Sequence, residues 1–365
     1  MRLEKVRLGE VLDFYDYQRI PLSSLERDKR QGEYRYFGAQ GVIDRIDAFI
    51  FDGQYVLIAE DGANLMTRNE PIAFLVDGQF WVNNHAHIVK GKCGKADDFY
   101  IASLINNLNI AGYVTGAAQP KLSQQNLKQI SVYLPSYSIQ REITSILSTY
   151  DDLIENNRRR MALLEDSARL LYREWFVRLR FPGYEHTPIV DGVPNGWERL
   201  PLEAALVLQR GFDLPTQDRQ EGSVPIYGST GILGCHDKAK AIAPGVVTGR
   251  SGTLGEVQYV ADDYWPLNTA LWVKEFKRVT PLFALFLLRE MDLKQFNGGA
   301  SVPTLDRKSV HRVEILIPST SMLRSFDEFA ADVYEQIKSL NTQNQKLRKA
   351  RDLLLPRLMS GELAV

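Results

Sequence analysis

Gly249-Arg250-Ser251-Gly252-Thr253-Leu254-Gly255 is the segment of this 365-residue chain best suited to holding an anion. Glycine-rich turns can aim consecutive backbone N–H groups at one point, and the Arg250 guanidinium would add charge and a bidentate fork. Asn, Gln, Arg, Lys, His, Ser and Thr carry the donors and acceptors that polar recognition needs, and such residues collect in a few glycine-containing blocks. In the first half they are Gln40, Asn64, Arg68, Asn83, Asn84, His85, Gln119 and Lys121. In the second half they are Thr230, Arg250, Ser251, Thr253, Asn268, Thr269, Ser301, Thr304 and Lys308. Asn and Ser in glycine-rich loops also stabilise turns, so part of this set serves the backbone rather than a ligand.

Catalytic chemistry finds no footing. The Gly-x4-Gly-Lys-Ser/Thr phosphate loop of ATP-binding proteins is missing, as is an Asn-Pro-Pro-Tyr/Phe element for adenine methylation. Phe37-Gly38-Ala39-Gln40-Gly41 is faintly similar to a cofactor loop, but its second copy at Tyr227 points to a structural turn. His85-x-His87 with Cys93, or Cys235-His236, lacks the matching ligand pair of a zinc site, so no metal is expected. Glu and Asp are scattered without an acid–base dyad.

These blocks belong to an internal repeat. Gly116-Ala117-Ala118-Gln119-Pro120-Lys121-Leu122-Ser123 returns as Gly299-Ala300-Ser301-Val302-Pro303-Thr304-Leu305-Asp306, and Val132-Tyr133-Leu134-Pro135-Ser136 as Ile315-Leu316-Ile317-Pro318-Ser319. Phe37–Gly41 matches Tyr227–Gly231, Trp81–Ala86 matches Trp265–Ala270, and Leu3–Leu8 resembles Trp197–Leu202. A change in offset places six extra residues in the first copy, between Gly62 and Trp81. Within each copy, Tyr55–Ala59 and Gly245–Thr248 read as strands. Ile101–Leu108 and Leu282–Arg289 read as helices, with a further helix starting near Leu122 and Leu305. Sheet order is not legible.

Each copy is followed by a long amphipathic stretch. The first has an apolar row at Ile139, Ile143, Ile146, Tyr150, Leu153, Asn157, Met161, Leu164, Ala168, Leu171 and Trp175. Its four–three spacing is interrupted by an extra four at Asn157-to-Met161, a stutter in a heptad-like row. The second has Met322, Phe326, Phe329, Val333, Ile337, Leu340, Asn344, Leu347, Leu354 and Leu358, with Pro356 predicting a break or kink. At ~1.5 Å per residue, ~40 residues reach roughly 60 Å, and stripes of this length suit helices that pair with each other. Asn157 and Asn344 at seam positions could fix register. Arg158-Arg159-Arg160 reads as a solvated basic face.

Composition sets outer bounds. Residues 1–135 carry 15 Lys+Arg against 16 Asp+Glu, residues 183–318 carry 14 against 16, and the whole chain is −1. Non-specific DNA affinity comes mainly from phosphate neutralisation, so neither globular part would grip DNA by charge alone. No ~18-residue apolar run spans a membrane. The start of the chain shows no apolar signal core, and two distant cysteines suit a reducing compartment, so a cytoplasmic protein is expected.

Leu170-Leu171-Tyr172-Arg173-Glu174-Trp175-Phe176-Val177, with Phe181-Pro182-Gly183 beyond it, resembles the central conserved region of type I restriction–modification specificity subunits. Leu353-Leu354-Leu355-Pro356-Arg357-Leu358-Met359-Ser360-Gly361-Glu362-Leu363 resembles their C-terminal conserved region. The resemblance implies an α+β architecture with two pseudo-repeated mixed target-recognition domains separated by two long antiparallel coiled-coil helices. The domains are expected at 1–135 and 183–318, with spacer helices at 136–182 and 319–365. It also implies a non-catalytic subunit in which each domain reads one half of an asymmetric bipartite DNA target and the helices set the gap. Implied partners are double-stranded DNA and two methyltransferase subunits, with restriction/translocase subunits as a further addition. S-adenosylmethionine, ATP and magnesium would belong to those partners, and this chain would hold no cofactor. Glu60-Asp61, opposite Arg250-Ser251, would repel a phosphate but could accept from cytosine N4, so the two domains should read different sequences. The competing reading is a coiled-coil repeat scaffold that binds proteins without reading DNA.

Overall fold

The computed structural model describes residues 2–116, 119–299, 301–363 and 365; Ala117, Ala118 and Ala300 of the repeated loop lie outside them. The chain forms two compact units, Met1–Asn156 with Gln343–Val365, and Asn157–Thr342. Four helices matter to the site: α1 (Asp98–Asn107), α2 (Tyr137–Tyr172), α3 (Pro281–Glu290) and α4 (Thr320–Ser360).

The first unit contains an antiparallel sheet in the order Leu12–Phe14, Ala86–Gly91, Tyr55–Ala59, Ala73–Val76. A second sheet runs Gly41–Ile46, Gln31–Gly38, Gln79–Val82, Phe51–Asp52, with Gln31–Gly38 and Gln79–Val82 parallel. The second unit repeats both: Leu206–Arg210, Ala270–Phe276, Gly245–Gly249, Val257–Val260, and then Gly231–His236, Val224–Gly228, Trp265–Pro266, the last pair again parallel. Each copy is closed by a two-stranded ladder, Glu4–Arg7 with Ser131–Leu134 and Glu198–Pro201 with Glu314–Ile317. Both units are therefore mixed α and β with one topology used twice. The short helices Gln124–Gln129 and Arg307–His311 begin after Leu122 and Leu305, where the Ser123 and Asp306 side chains accept from Asn126 N–H and Lys308 N–H. Capping of this kind satisfies otherwise orphaned N–H groups.

The long helices contribute to both cores. In the first unit α2 buries Ile143, Leu147 and Ile154, and the end of α4 brings Leu358 and half-buried Leu354 to the same core, beside half-buried Ile139. Arg351 Nη1 donates to Asp151 and Asn344 Nδ2 donates to Ile154 O, so the two stretches run antiparallel. In the second unit α2 brings Ala168, Tyr172 and, in the π-turn Arg173–Val177, Phe176. The first half of α4 supplies Leu323, Phe326, Ala330 and Val333 to this core, with Leu340 buried further along. Tyr172 is ringed by Phe176, Phe283, Phe286 and Phe326 at centroid distances of 5.1–5.8 Å. Leu164, Leu171 and Trp175 are half-buried against the same cluster, and Leu347 is half-buried in the first unit.

The seam expected from sequence needs correction by one residue in places. Ile146 and Phe329, assigned to it, are 37% and 42% exposed; Leu147 and Ala330 occupy the buried positions. Leu153 likewise gives way to Ile154. The cause is that each face carries adjacent apolar residues, and geometry selects the one that keeps the regular period. Buried or half-buried positions fall at 143, 147, 150 and 154 in the first unit's stretch of α2 and at 157, 161, 164 and 168 in the second's. No stutter occurs at Asn157; the four–four spacing appears at 168, 172 and 176, where the backbone turns to π-helix. Of the break or kink expected at Pro356, the break does not occur: α4 continues through it to Ser360.

Candidate nucleic-acid interface

In each unit three loops are tied into one frame by the same backbone hydrogen bonds. In the first, Glu60 N–H donates to His85 O (2.9 Å), Leu122 N–H to Glu60 O (2.8 Å) and Gly62 N–H to Pro120 O (3.0 Å). In the second, Arg250 N–H donates to Thr269 O (2.9 Å), Leu305 N–H to Arg250 O (2.8 Å) and Gly252 N–H to Pro303 O (2.9 Å). Bridges between Asp61 and Lys121, and between Ser251 and Thr304, complete the match. The parallel strand pair ends alike, with Asn83 N–H on Phe37 O and Leu267 N–H on Tyr227 O. One backbone scaffold thus carries two different sets of side chains.

On the first scaffold the side chains form an ion-pair network. Arg19 Nη1 donates to Glu60 Oε2 (2.6 Å) and Lys121 Nζ lies 3.2 Å from Glu60 Oε1. His87 is buried between Asp16 Oδ2 (2.6 Å) and Leu122 O (2.7 Å). Burial alone would raise the Asp16 carboxyl, but the His87 hydrogen bond and charge hold it below the usual range. Glu60 is likewise lowered despite its burial, by Arg19, His87 and Lys121. Asp16, Glu60 and His87 come close enough to share a metal ion. Both His87 nitrogens face acceptors, however, and two cations already serve Glu60, so this set suits an ion-pair network better than a metal centre. At the surface, His85 Nδ1 is 2.7 Å from Asp61 Oδ2. With Nδ1–H donated to Asp61, the outer nitrogen of a neutral His85 is an acceptor for an exocyclic amino group.

The second scaffold lacks this network. Arg250 occupies the place of Glu60, and its Nη1 donates to Asn268 O (3.1 Å) while Asn268 Nδ2 donates to Asp213. Among the described residues no carboxylate lies within ion-pair distance of Arg250. Thr253, Ser301 and Lys308 are exposed, and the Thr304 hydroxyl donates to Val302 O (3.1 Å). Ser251 and Thr269 are half-buried, and Thr269 Oγ1 finds no hydrogen-bond partner among the described residues.

Several expectations fail locally. The run at Gly249–Gly255 does not form an anion nest at its start: the N–H groups of Gly249, Arg250, Ser251 and Gly252 are spent on Glu256 O, Thr269 O, Thr269 O and Pro303 O. Asn64 is buried, with its amide donating to Glu70 O and accepting from Glu70 N–H. Asn83 is buried too, accepting from His85 N–H. Arg68 adopts a left-handed backbone (φ 54°) and donates to Leu108 O (2.5 Å). These three shape the loops instead of projecting from them. Gln40 and Thr230 sit exposed at the tips of matching hairpins, and Asn84, His85, Gln119 and Lys121 are exposed on the first scaffold. Asp16 and Arg19 were missed, and His87 was weighed only as a zinc ligand, because most of their partners lie 35 to 108 residues away in sequence, which no spacing rule reveals.

Residues 2–166 match the family described as the type I restriction modification DNA specificity domain. A putative type I restriction enzyme specificity subunit of Haemophilus influenzae, S.HindORF215P, is 35% identical over 38% of this chain, a match that spans 35% of its own length. The MjaIX specificity subunit of Methanocaldococcus jannaschii is 23% identical over 83% of this chain and 78% of that one. The crystal structure of the type I S subunit from M. genitalium shares the fold, with TM-score 0.61 and 16% identity over 98% of this chain and 96% of that one. The domain match covers the first copy, and the repeated frame extends the same design to the second. Residues 2–166 thus match the type I specificity domain, and the chain as a whole is similar in sequence and fold to type I restriction–modification specificity subunits.

Proposed function

We propose that this chain is the DNA-reading subunit of a type I restriction–modification complex and carries no catalytic step itself. Each globular part reads one half of a split target, and the paired helices set the unread gap. The observation that supports this best is the duplicated loop frame with exchanged side chains. Glu60, Asp61, His85 and Lys121 stand where the second copy has Arg250, Ser251, Thr269 and Thr304. A protein that needed only a repeated scaffold would have no use for opposite charge at matched, half-buried loop positions. Hydrogen-bonding groups that differ on a constant backbone are what reading two unlike base sequences requires.

Near-neutral recognition domains imply that bound partners supply much of the phosphate contact. Methyltransferase subunits, which would bring S-adenosylmethionine, fit that need; restriction/translocase subunits using ATP and magnesium would add cleavage. Among the described residues no helix is long and apolar enough to cross a membrane, and the cytoplasm, where DNA is, is the proposed location. Co-expression with the cognate methyltransferase subunits and sequencing of genomic N6-methyladenine tests the reading. A two-part asymmetric motif is expected. A perfectly palindromic motif, or methylation that persists when either globular part is replaced, would leave only the scaffold role.

A further inference from the structure

Both units expose an aliphatic pair at the same place. Val42-Ile43 and Ile232-Leu233 follow Gly41 and Gly231 at the turns of matching hairpins, and Ile43 and Leu233 are 51% and 47% exposed. Ile43 and Leu233 lie where the register of each hairpin shifts, an irregularity that re-aims a side chain, and both approach the reading loops. A Cβ built on Gly38 would lie 3.1 Å from Ile43 Cγ2 and 3.5 Å from Asn83 Nδ2. One built on Gly228 would lie 2.4 Å from Leu233 Cδ1 and 3.3 Å from Thr269 Oγ1. In each copy a glycine without a side chain thus seats an aliphatic group beside the loop that follows the parallel strand. Gln40 and Thr230, one turn position away, are exposed polar groups.

Single exposed apolar residues need no explanation. A pair kept in both copies, while the polar residues around it have changed, does. Its surroundings are the polar reading loops rather than an apolar groove, which favours DNA over a protein partner. We propose that Ile43 and Leu233 are specificity residues, each making an apolar contact with the C5-methyl group of a thymine in its half-site. Duplex DNA presents that methyl group on the major-groove edge of every A·T pair, and aliphatic side chains are its natural partners.

The proposal rests on the DNA-reading function above, and the test separates the two. The full chain, assembled with its methyltransferase subunits, is bound to duplexes carrying the motif mapped by methylation sequencing. Half-site thymines are replaced one at a time by deoxyuridine, which lacks only the methyl group. One such replacement in the first half-site should weaken the unmodified complex about fourfold, the effect of losing one buried methyl-sized group. With Ile43→Ala the same replacement should cost less than twofold, and with Ile43→Val the full sensitivity should remain. Leu233→Ala should do the same for the second half-site only. Additive losses, insensitivity to deoxyuridine, or half-sites without thymine would overturn the proposal and leave DNA reading intact. Loss of methyltransferase subunits from either alanine variant on gel filtration would assign the pair to a protein contact and also overturn it. Failure of the unmodified complex to prefer its motif would instead defeat the DNA-reading function.

Discussion

The helix-docking contact is wired in opposite senses in the two units, and this gives a sharp test of the shared frame. In the first unit Thr144 Oγ1 on α2 donates to Asp97 Oδ1 (2.6 Å), the residue that caps α1. In the second, the cap is Thr280, whose hydroxyl donates to Asp327 Oδ1 on α4 (2.7 Å). Donor and acceptor have changed places at equivalent positions. Thr144→Ala removes a hydrogen bond to a carboxylate that is 13% exposed, and such bonds contribute ~1.5–3 kcal/mol. Asp97 keeps the Tyr100 N–H (3.0 Å), so the lower figure, ~1.5 kcal/mol, is expected. For a unit of this size that is a fall in Tm of roughly 3–6 °C. Thr144→Asp alone sets two carboxylates face to face and should cost more. The double variant Asp97→Thr with Thr144→Asp rebuilds the second unit's wiring and should recover most of both losses. Calorimetry of the full chain, with hydrogen exchange at α1 to assign the transition, provides the measurement. Losses that simply add in the double variant would refute the idea that the two copies dock their long helices through one interchangeable contact.

Burial raises the Asp327 carboxyl above its usual range, partly offset by the Thr280 hydroxyl. A raised folded pKa means that the ionised form opposes folding at neutral pH and that this opposition fades as pH falls through that pKa. Asp327→Asn should therefore match or exceed the parent's Tm at pH 7, with the difference shrinking toward pH 4 in a thermal-melt series. The corrected seam predicts that Leu147→Ala destabilises by about 2–5 kcal/mol, whereas Ile146→Ala, one residue away, costs under about 1 kcal/mol; denaturant titration distinguishes them. Removing one heptad from each long helix preserves the seam and shortens the rods by about 10 Å, roughly three base pairs. The methylated motif should then keep both half-sites with a gap about three base pairs shorter, and an unchanged gap would rule out the spacer role.

The repeat was legible because matched turns demand matched residues. Gly38-x-x-Gly41 and Gly228-x-x-Gly231 build the same hairpin, and Gly41 (φ 126°) and Gly231 (φ 114°) take backbone angles that side chains disfavour. The existence and approximate span of the long helices were legible from periodicity. Their phase was not, because Ile146-Leu147, Leu153-Ile154 and Phe329-Ala330 offer two adjacent apolar candidates, and only packing against α1, α3 and the antiparallel partner selects one. Site residues were harder. Asn64 and Asn83 have the residue type that reads bases, but burial turned both amides toward the backbone. Arg250 keeps donors beyond its bond to Asn268 O, because among the described residues no carboxylate pairs with it. The Asp16–His87–Glu60–Arg19 network depends on which strands lie side by side, and sheet order was the part of the fold that sequence could not supply.

The central claim is that one loop frame, dressed differently, reads two sequences. It is tested most directly by grafting Glu60→Arg, Asp61→Ser, His85→Thr and Lys121→Thr onto the first copy and sequencing N6-methyladenine in cells that also express the methyltransferase subunits. The expected result is a motif whose second half and gap are untouched while its first half shifts toward the bases read by the second copy. An intact first half-site, with the variant folded and the complex assembled, would show that these loops do not read DNA.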